Sequence, residues 1–256
     1  MDLLWRLLYS SLISLLLWVL HKYIGSYPAQ LPRSVKPHRD IWIVMLLWVV
    51  AVLSRGILMV TVMPWLNRSV SDPFLRELSL SPFLTLVYVF LPLSLLWWKG
   101  WSQKDLGISL KNQSPEVSIF AIVFGVLSGC IAYLNGQTVV GLESHHWGEL
   151  FVLFYNNAFI EEFYFRGVMQ SLLERALGHM KALLWSGILY GSVHILLDLA
   201  ILSDTGILFV LFAVLLQTMA GWLLGMIFMK TRSLWPGIIC HYLVNWLPSI
   251  LSRILG

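Results

Sequence analysis

"FIEEFYFRGV", from Phe159 to Val168, places two adjacent glutamates and an arginine within an otherwise apolar stretch. A charged side chain at the centre of a membrane costs about 2.5–3.5 kcal/mol on insertion scales, so such residues rarely persist there without a function. If the surrounding sequence crosses a membrane, Glu161, Glu162 and Arg166 mark a functional site.

The composition indicates a membrane protein. Of the 256 residues, 58% are hydrophobic and 12% charged, and the mean hydropathy is +0.78. Soluble domains carry about 25% charged residues, roughly twice as many. The net charge of +4 is small, and the basic residues fall in short loops, which indicates membrane orientation and not nucleic-acid binding. Cys130 and Cys240 lie in apolar runs without metal-site spacing, so we interpret both as packing residues.

Eight apolar runs are long enough to span a membrane core of about 30 Å. The sequence therefore predicts an all-α, polytopic membrane protein with about eight transmembrane helices. Basic residues predominate in every second loop, which predicts that both termini lie on the outer side. Because basic residues mostly follow the first run, we expect a retained helix and not a cleaved signal peptide. The predicted spans are 3–21, 41–66, 80–98, 117–137, 148–173, 181–200, 206–229 and 234–254.

Polar residues on three of these spans are predicted to meet at one depth. With a rise of 1.5 Å per residue, Glu161, His194 and Asn245 lie about 17–21 Å from the same membrane face. His241 lies one turn shallower. We therefore expect one site built from the fifth, sixth and eighth spans.

Helical spacing predicts different roles for the two glutamates. Glu162 and Arg166 are spaced i,i+4 with the acid first, which favours an ion pair. Glu161 points about 100° away around the helix, and we expect its carboxylate to be free. On the eighth span, His241 and Asn245 share one face.

These residues suit hydrolysis. Glu161 and His194 could deprotonate a water, and His241 and Asn245 could donate hydrogen bonds to the oxyanion that forms on an attacked carbonyl. Glu161, His194 and His241 could instead bind a divalent metal such as zinc, although the sequence has no HExxH motif. We favour the metal-free alternative, because a zinc site would prefer a third imidazole or carboxylate to the amide of Asn245.

Three motifs resemble those of the CPBP intramembrane protease family, which includes the type II CAAX prenyl endopeptidases and abortive-infection-type proteins. "EEFYFR" matches its EExxxR motif. "YGSVH" resembles its motif of an aromatic residue and a histidine separated by three residues, and "HYLVN" resembles its HxxxN/D motif. "KDLGI", residues 104–108, is similar to the linker that often precedes the family's core. The motifs occur in the family's order on separate predicted spans.

The resemblance implies a CAAX-protease-like helical core at 117–256, preceded by a three-span membrane region and linker at 1–116. It implies that Glu161 and His194 activate water and that His241 and Asn245 form the oxyanion hole. Glu162 and Arg166 would support them. The family is often classed as metalloproteases, so a zinc cofactor stays open.

The resulting functional hypothesis is an intramembrane endopeptidase that acts on a membrane-associated protein or peptide, with no nucleic-acid partner, in a bacterial plasma membrane. A non-proteolytic scaffold or bacteriocin-immunity-type protein is the alternative, and a transporter is a weaker one.

Arg55 lies in the middle of the second span with no acidic neighbour within one turn. We expect it to extend along a tilted helix towards the membrane surface. A helix break at Gly56 and a contact with a partner's carboxylate are the alternatives.

Overall fold

The computed structural model describes residues 3–110, 114–136, 148–202 and 206–255, and all regular secondary structure in these ranges is helical. This confirms the all-α prediction. Nine helices, numbered here in chain order, form the described part of the chain. They are α1 (Leu3–Tyr23), α2 (Pro37–Ser69), α3 (Pro73–Trp98), α4 (Pro115–Leu134), α5 (148–177), α6 (His179–Ser192), α7 (Ile195–Leu202), α8 (Ile207–Thr231) and α9 (Trp235–Leu255).

Six helical segments in the described ranges are long and apolar enough to cross a membrane, so the protein is an integral membrane protein. They are α2, α3, α4, the continuous stretch His179–Ala200, α8 and α9. The predicted count of about eight is thus approximate. The other two predicted spans, α1 and α5, are also helical. Helix α5 is not apolar enough to be identified as a membrane span by composition alone, because it contains Glu161, Glu162 and Arg166.

Several helices begin at a proline, which fixes a helical φ angle and needs no backbone donor in the first turn. Pro37, Pro73 and Pro115 each occupy the first position of a helix. Asp72 caps α3, since its side chain accepts a hydrogen bond of 3.1 Å from the backbone N–H of Leu75. These signals explain why α2 and α3 begin before the apolar runs from which their spans were predicted.

Helix α5 occupies the centre of the molecule. Residues 160–174 are all buried, whereas α2, α3, α4 and α8 expose many apolar side chains. One apolar cluster joins α5 to α2, α3 and α6, and a second joins α1, α4, α8 and α9. Cys240 packs in the second cluster, and both cysteines are free, as predicted.

The linker "KDLGI" packs against the helices that follow it in sequence. Leu106 is buried, and the carbonyl of Gly107 accepts a hydrogen bond of 2.9 Å from the N–H of Leu234. Asp105 forms an ion pair with Arg175 at the end of α5. Burial acts to raise the pKa of the Asp105 carboxyl, but hydrogen bonds from Ser102 and Arg175 lower it below its usual value. These contacts hold the linker against the helices that carry the three motifs.

Candidate active site

A cavity of about 340 Å³ lies among the helices and is lined by both polar and apolar residues. The polar residues that line the cavity, with the exception of Gln217, are called the polar wall. The rest of the lining is mostly apolar and includes Phe124, Leu197, Leu216 and Leu223. Glu161, His194, His241 and Asn245, predicted from three separate spans, all belong to the polar wall. Its full membership is Arg55, Asn157, Glu161, Tyr190, His194, His241 and Asn245.

The carboxylate of Glu161 is held by two donors. Its Oε1 accepts a hydrogen bond from Nη2 of Arg55 within an ion pair, and its Oε2 accepts one of 3.0 Å from the hydroxyl of Tyr190. The prediction that Glu161 is free of a charged partner was therefore wrong. The expectation that Arg55 extends to the membrane surface was also wrong. The two residues are 106 positions apart, so spacing along a single helix could not indicate their contact.

Glu162 and Arg166 form the predicted ion pair, with 3.2 Å between Nη1 and Oε1. Both side chains are only 1% exposed, and the Arg166 guanidinium lies 4.2 Å from the centre of the Tyr190 ring. Such burial makes the pair interdependent, because removing one charge leaves the other uncompensated. Glu162 does not line the cavity, which agrees with a supporting position.

Glu162 also contacts His241. Its Oε1 lies 3.0 Å from Nδ1 of His241. Since a carboxylate accepts, Nδ1 carries the proton that is donated. The remaining nitrogen, Nε2, can donate to a bound group only when the ring carries both protons, and Glu162 then supplies the counter-charge.

His194 is oriented by its own helix turn. Its Nδ1 lies 2.8 Å from the carbonyl of Tyr190, and because a carbonyl only accepts, Nδ1 is the protonated nitrogen. In the neutral ring, Nε2 then carries a lone pair that can accept a proton. His194 is 8% exposed, on the cavity wall.

Sequence reasoning missed two residues that contact Glu161. Tyr190 is the aromatic residue of the second motif, and its spacing of four residues from His194 already placed it on the same helix face. One feature of the sequence did mark Arg55 as unusual, namely its position in the middle of a predicted span. Nothing in the sequence indicated which carboxylate it contacts.

The described residues do not fit a metal site of the usual type. Among them, no three His, Cys, Asp or Glu side chains are grouped so that they could hold an ion. The Arg55 guanidinium is also paired with Glu161, the carboxylate that a metal would need, so a bound cation would lie beside a positive charge. The metal alternative of Glu161, His194 and His241 therefore has no matching geometry here.

Residues 143–247 match the sequence profile of a known family, described as type II CAAX prenyl endopeptidase Rce1-like. This confirms the resemblance that the three motifs indicated. Searches among curated proteins and among solved structures gave no significant match. The matched segment contains every residue of the polar wall except Arg55.

Proposed function

We propose that the protein is an intramembrane endopeptidase that hydrolyses a peptide bond with water activated by Glu161 and His194. One observation carries the proposal: Glu161, His194, His241 and Asn245 line a single cavity, and all four belong to the segment that matches the CAAX endopeptidase family. We infer a membrane-associated protein or peptide as substrate and a bacterial plasma membrane as the location.

The proposed first step transfers a proton within the cavity. A water held between Glu161 and Nε2 of His194 gives one proton to this pair as its oxygen attacks the substrate carbonyl carbon. The carbonyl π electrons move to the oxygen and form an oxyanion. Asn245 donates an amide N–H to this oxygen, and His241 can add a second donor through Nε2 when its ring carries both protons.

The second step breaks the peptide bond. The oxyanion re-forms the carbonyl, the C–N bond breaks, and the leaving nitrogen takes up the proton that Glu161 and His194 removed from water. One water is consumed, and one carboxyl and one amine are produced.

The test uses full-length protein purified in detergent and a fluorescent farnesylated CAAX peptide, the substrate class that the family's name suggests. We expect wild type to cleave it and Glu161→Ala to lose cleavage, because the base is removed. Glu116→Ala is the matched control, since Glu116 is an exposed carboxylate at the start of α4. Cleavage by Glu161→Ala at the wild-type rate would contradict the proposed role. Wild type that cleaves nothing would favour the non-proteolytic scaffold.

The same assay tests the metal alternative. In the metal-free mechanism, dialysis against a chelator leaves the turnover number unchanged. If chelation abolishes cleavage and added zinc restores it, a metal must take part.

A further inference from the structure

Arg55 lies outside the segment that matches the endopeptidase family, yet its guanidinium contacts the proposed catalytic carboxylate. It belongs to α2, in the N-terminal part of the chain. Its side chain is 17% exposed, and it forms part of the polar wall. An arginine at membrane depth is costly unless paired, and so is an ionised glutamate. Each residue therefore supplies the counter-charge that the other requires.

Hydrogen bonds from three other helices fix the stretch of α2 that carries Arg55. The Tyr164 hydroxyl of α5 donates to the carbonyl of Leu47 at 2.6 Å. The indole N–H of Trp48 donates to the Ser192 hydroxyl of α6 at 3.1 Å. A third hydrogen bond involves α3, where the Tyr88 hydroxyl lies 2.7 Å from that of Ser54. Arg55 thus reaches Glu161 from a backbone that is anchored on several sides.

We propose that Arg55 is a positioning residue for Glu161, so that the N-terminal region completes the active site of the proposed peptidase. Arg55 and Tyr190 bind opposite oxygens of the carboxylate, which fixes its rotation about the terminal bond of the side chain. A carboxylate oxygen has more than one acceptor position, so each oxygen can still accept a hydrogen bond from water. Held in this way, the carboxylate presents an ionised acceptor to a water in the cavity. This inference rests on the proposed function.

The chemistry of arginine allows a positioning role to be distinguished from a general need for positive charge near Glu161. Guanidinium is planar and presents fixed donors, whereas the lysine ammonium is a compact point charge on a flexible chain. Lysine at position 55 would keep the counter-charge and lose the fixed geometry. Glutamine would lose the charge and keep a donor. A smaller loss of activity in Arg55→Lys than in Arg55→Gln would indicate that Arg55 positions Glu161 and does not merely fill space.

The experiment measures kcat and KM with the farnesylated CAAX peptide for full-length Arg55→Gln, Arg55→Lys and Arg68→Gln. Arg68 lies on the same helix, and its guanidinium donates a local, exposed hydrogen bond to the carbonyl of Pro64, which makes it the matched control. We expect Arg55→Gln to lower kcat about 100-fold, the scale of a misplaced catalytic group. The KM should change by less than about threefold, because ground-state binding is not removed. Arg55→Lys should recover about tenfold of the loss, and Arg68→Gln should match wild type.

A second measurement distinguishes positioning from loss of structure. In a Glu161→Gln background, Arg55→Gln should cause no further decrease in the residual rate, since residues that act as a unit are not additive. If Arg55→Gln does not fold, the Arg55→Lys variant, which keeps the charge, carries the kcat comparison.

The outcomes separate this inference from the proposed function. If wild type is active, Glu161→Ala is inactive and Arg55→Gln keeps kcat within about threefold of wild type, the inference fails and the proposed function stands. A rise in KM with unchanged kcat would also overturn it, because Arg55 would then bind substrate. If wild type and Glu161→Ala are indistinguishable, both proposals fail.

Discussion

Glu161 and Glu162 are neighbours in sequence, but each meets a different cation. Glu162 pairs with Arg166 on its own helix and with His241 across the helix interface. Glu161 pairs with Arg55 from a distant helix and faces the cavity. The first glutamate therefore lies where a substrate can reach it, and the second fixes the groups behind it.

The Glu162–Arg166 pair could be predicted because it depends only on helical spacing. The Arg55–Glu161 pair could not, because a contact between two helices depends on how both rotate and pack. A sequence with unpaired charges on two spans does indicate that partners exist. It does not indicate which charges meet.

At Asn245, we predict a loss of transition-state stabilisation. Its amide can donate to an oxyanion without a change of protonation, whereas His241 needs a second proton before Nε2 can donate. Asn245→Ala should lower kcat by about 10²–10³, the range for loss of one oxyanion donor, while KM stays nearly constant because the oxyanion forms only during reaction. Steady-state kinetics with the farnesylated peptide measure both constants.

The exposed control for this substitution is Asn135→Ala, at the end of α4. It should match wild type. An Asn245→Ala enzyme with normal kcat and raised KM would contradict the oxyanion role and indicate a contact with bound substrate instead.

At the scale of the helix, α5 departs from regular α geometry around its two glutamates. Wider π-helical turns run from Phe154 to Phe159 and from Phe163 to Gln170, on either side of Ile160–Glu162. Such turns are rare and are often found at functional sites. The sequence predicted a helix here, and this was confirmed. Periodicity of 3.6 residues contains no signal for the wider turns, which depend on packing against neighbouring helices.

Helices α6 and α8 approach closely because both present glycine at their contact. A Cβ atom on Gly221 would lie 2.9 Å from Cα of Gly187 and 3.1 Å from its carbonyl oxygen. Backbone atoms cannot rotate away from such a contact as a flexible side chain can. The GxxxG spacing from Gly221 to Gly225 is a pattern typical of closely packed membrane helices.

We predict that Gly221→Ala destabilises the protein by about 1–3 kcal/mol, the usual cost of overpacking a filled interior. Unfolding in mixed micelles measures the change. Gly56→Ala is the matched control, since among the described residues a Cβ there would meet only the Leu196 side chain, at 3.4 Å. Equal free energies of unfolding for the two variants would contradict this prediction, because α6 and α8 could then move apart without loss of stability.

At the scale of the whole molecule, hydrogen bonds join the N-terminal region to the motif-bearing helices on several sides. Nζ of Lys230 on α8 donates to the carbonyls of Leu20, Ile24 and Gly25 at the end of α1, at 2.6, 2.7 and 2.8 Å. The N–H of Leu31 donates to Glu174 at 3.0 Å. Lysine at a helix C-terminus satisfies carbonyls that have no partner in the helix. The two parts of the chain thus form one packed unit.

The division between 1–116 and 117–256 stays a prediction, and the hydrogen bonds of Lys230 and Leu31 cross it. Motifs identify the part of a chain that performs a reaction. They do not show which other segments hold its groups in place. Arg55 is the example, because it lies outside the segment that matches the family and yet contacts Glu161.

A split protein tests whether both parts are required. We predict that residues 117–256 produced alone do not cleave the farnesylated peptide, because the Glu161 carboxylate lacks Arg55. Co-production with residues 1–116 should give a complex that co-purifies, since buried apolar surface and the Lys230 hydrogen bonds join the two pieces, and it should restore cleavage. A 1–116 piece carrying Arg55→Gln should still co-purify but restore about 100-fold less activity, whereas Arg68→Gln should restore it fully. Activity of 117–256 alone at the wild-type rate would contradict this prediction, because the motif-bearing part would then hold its catalytic carboxylate without the N-terminal helices.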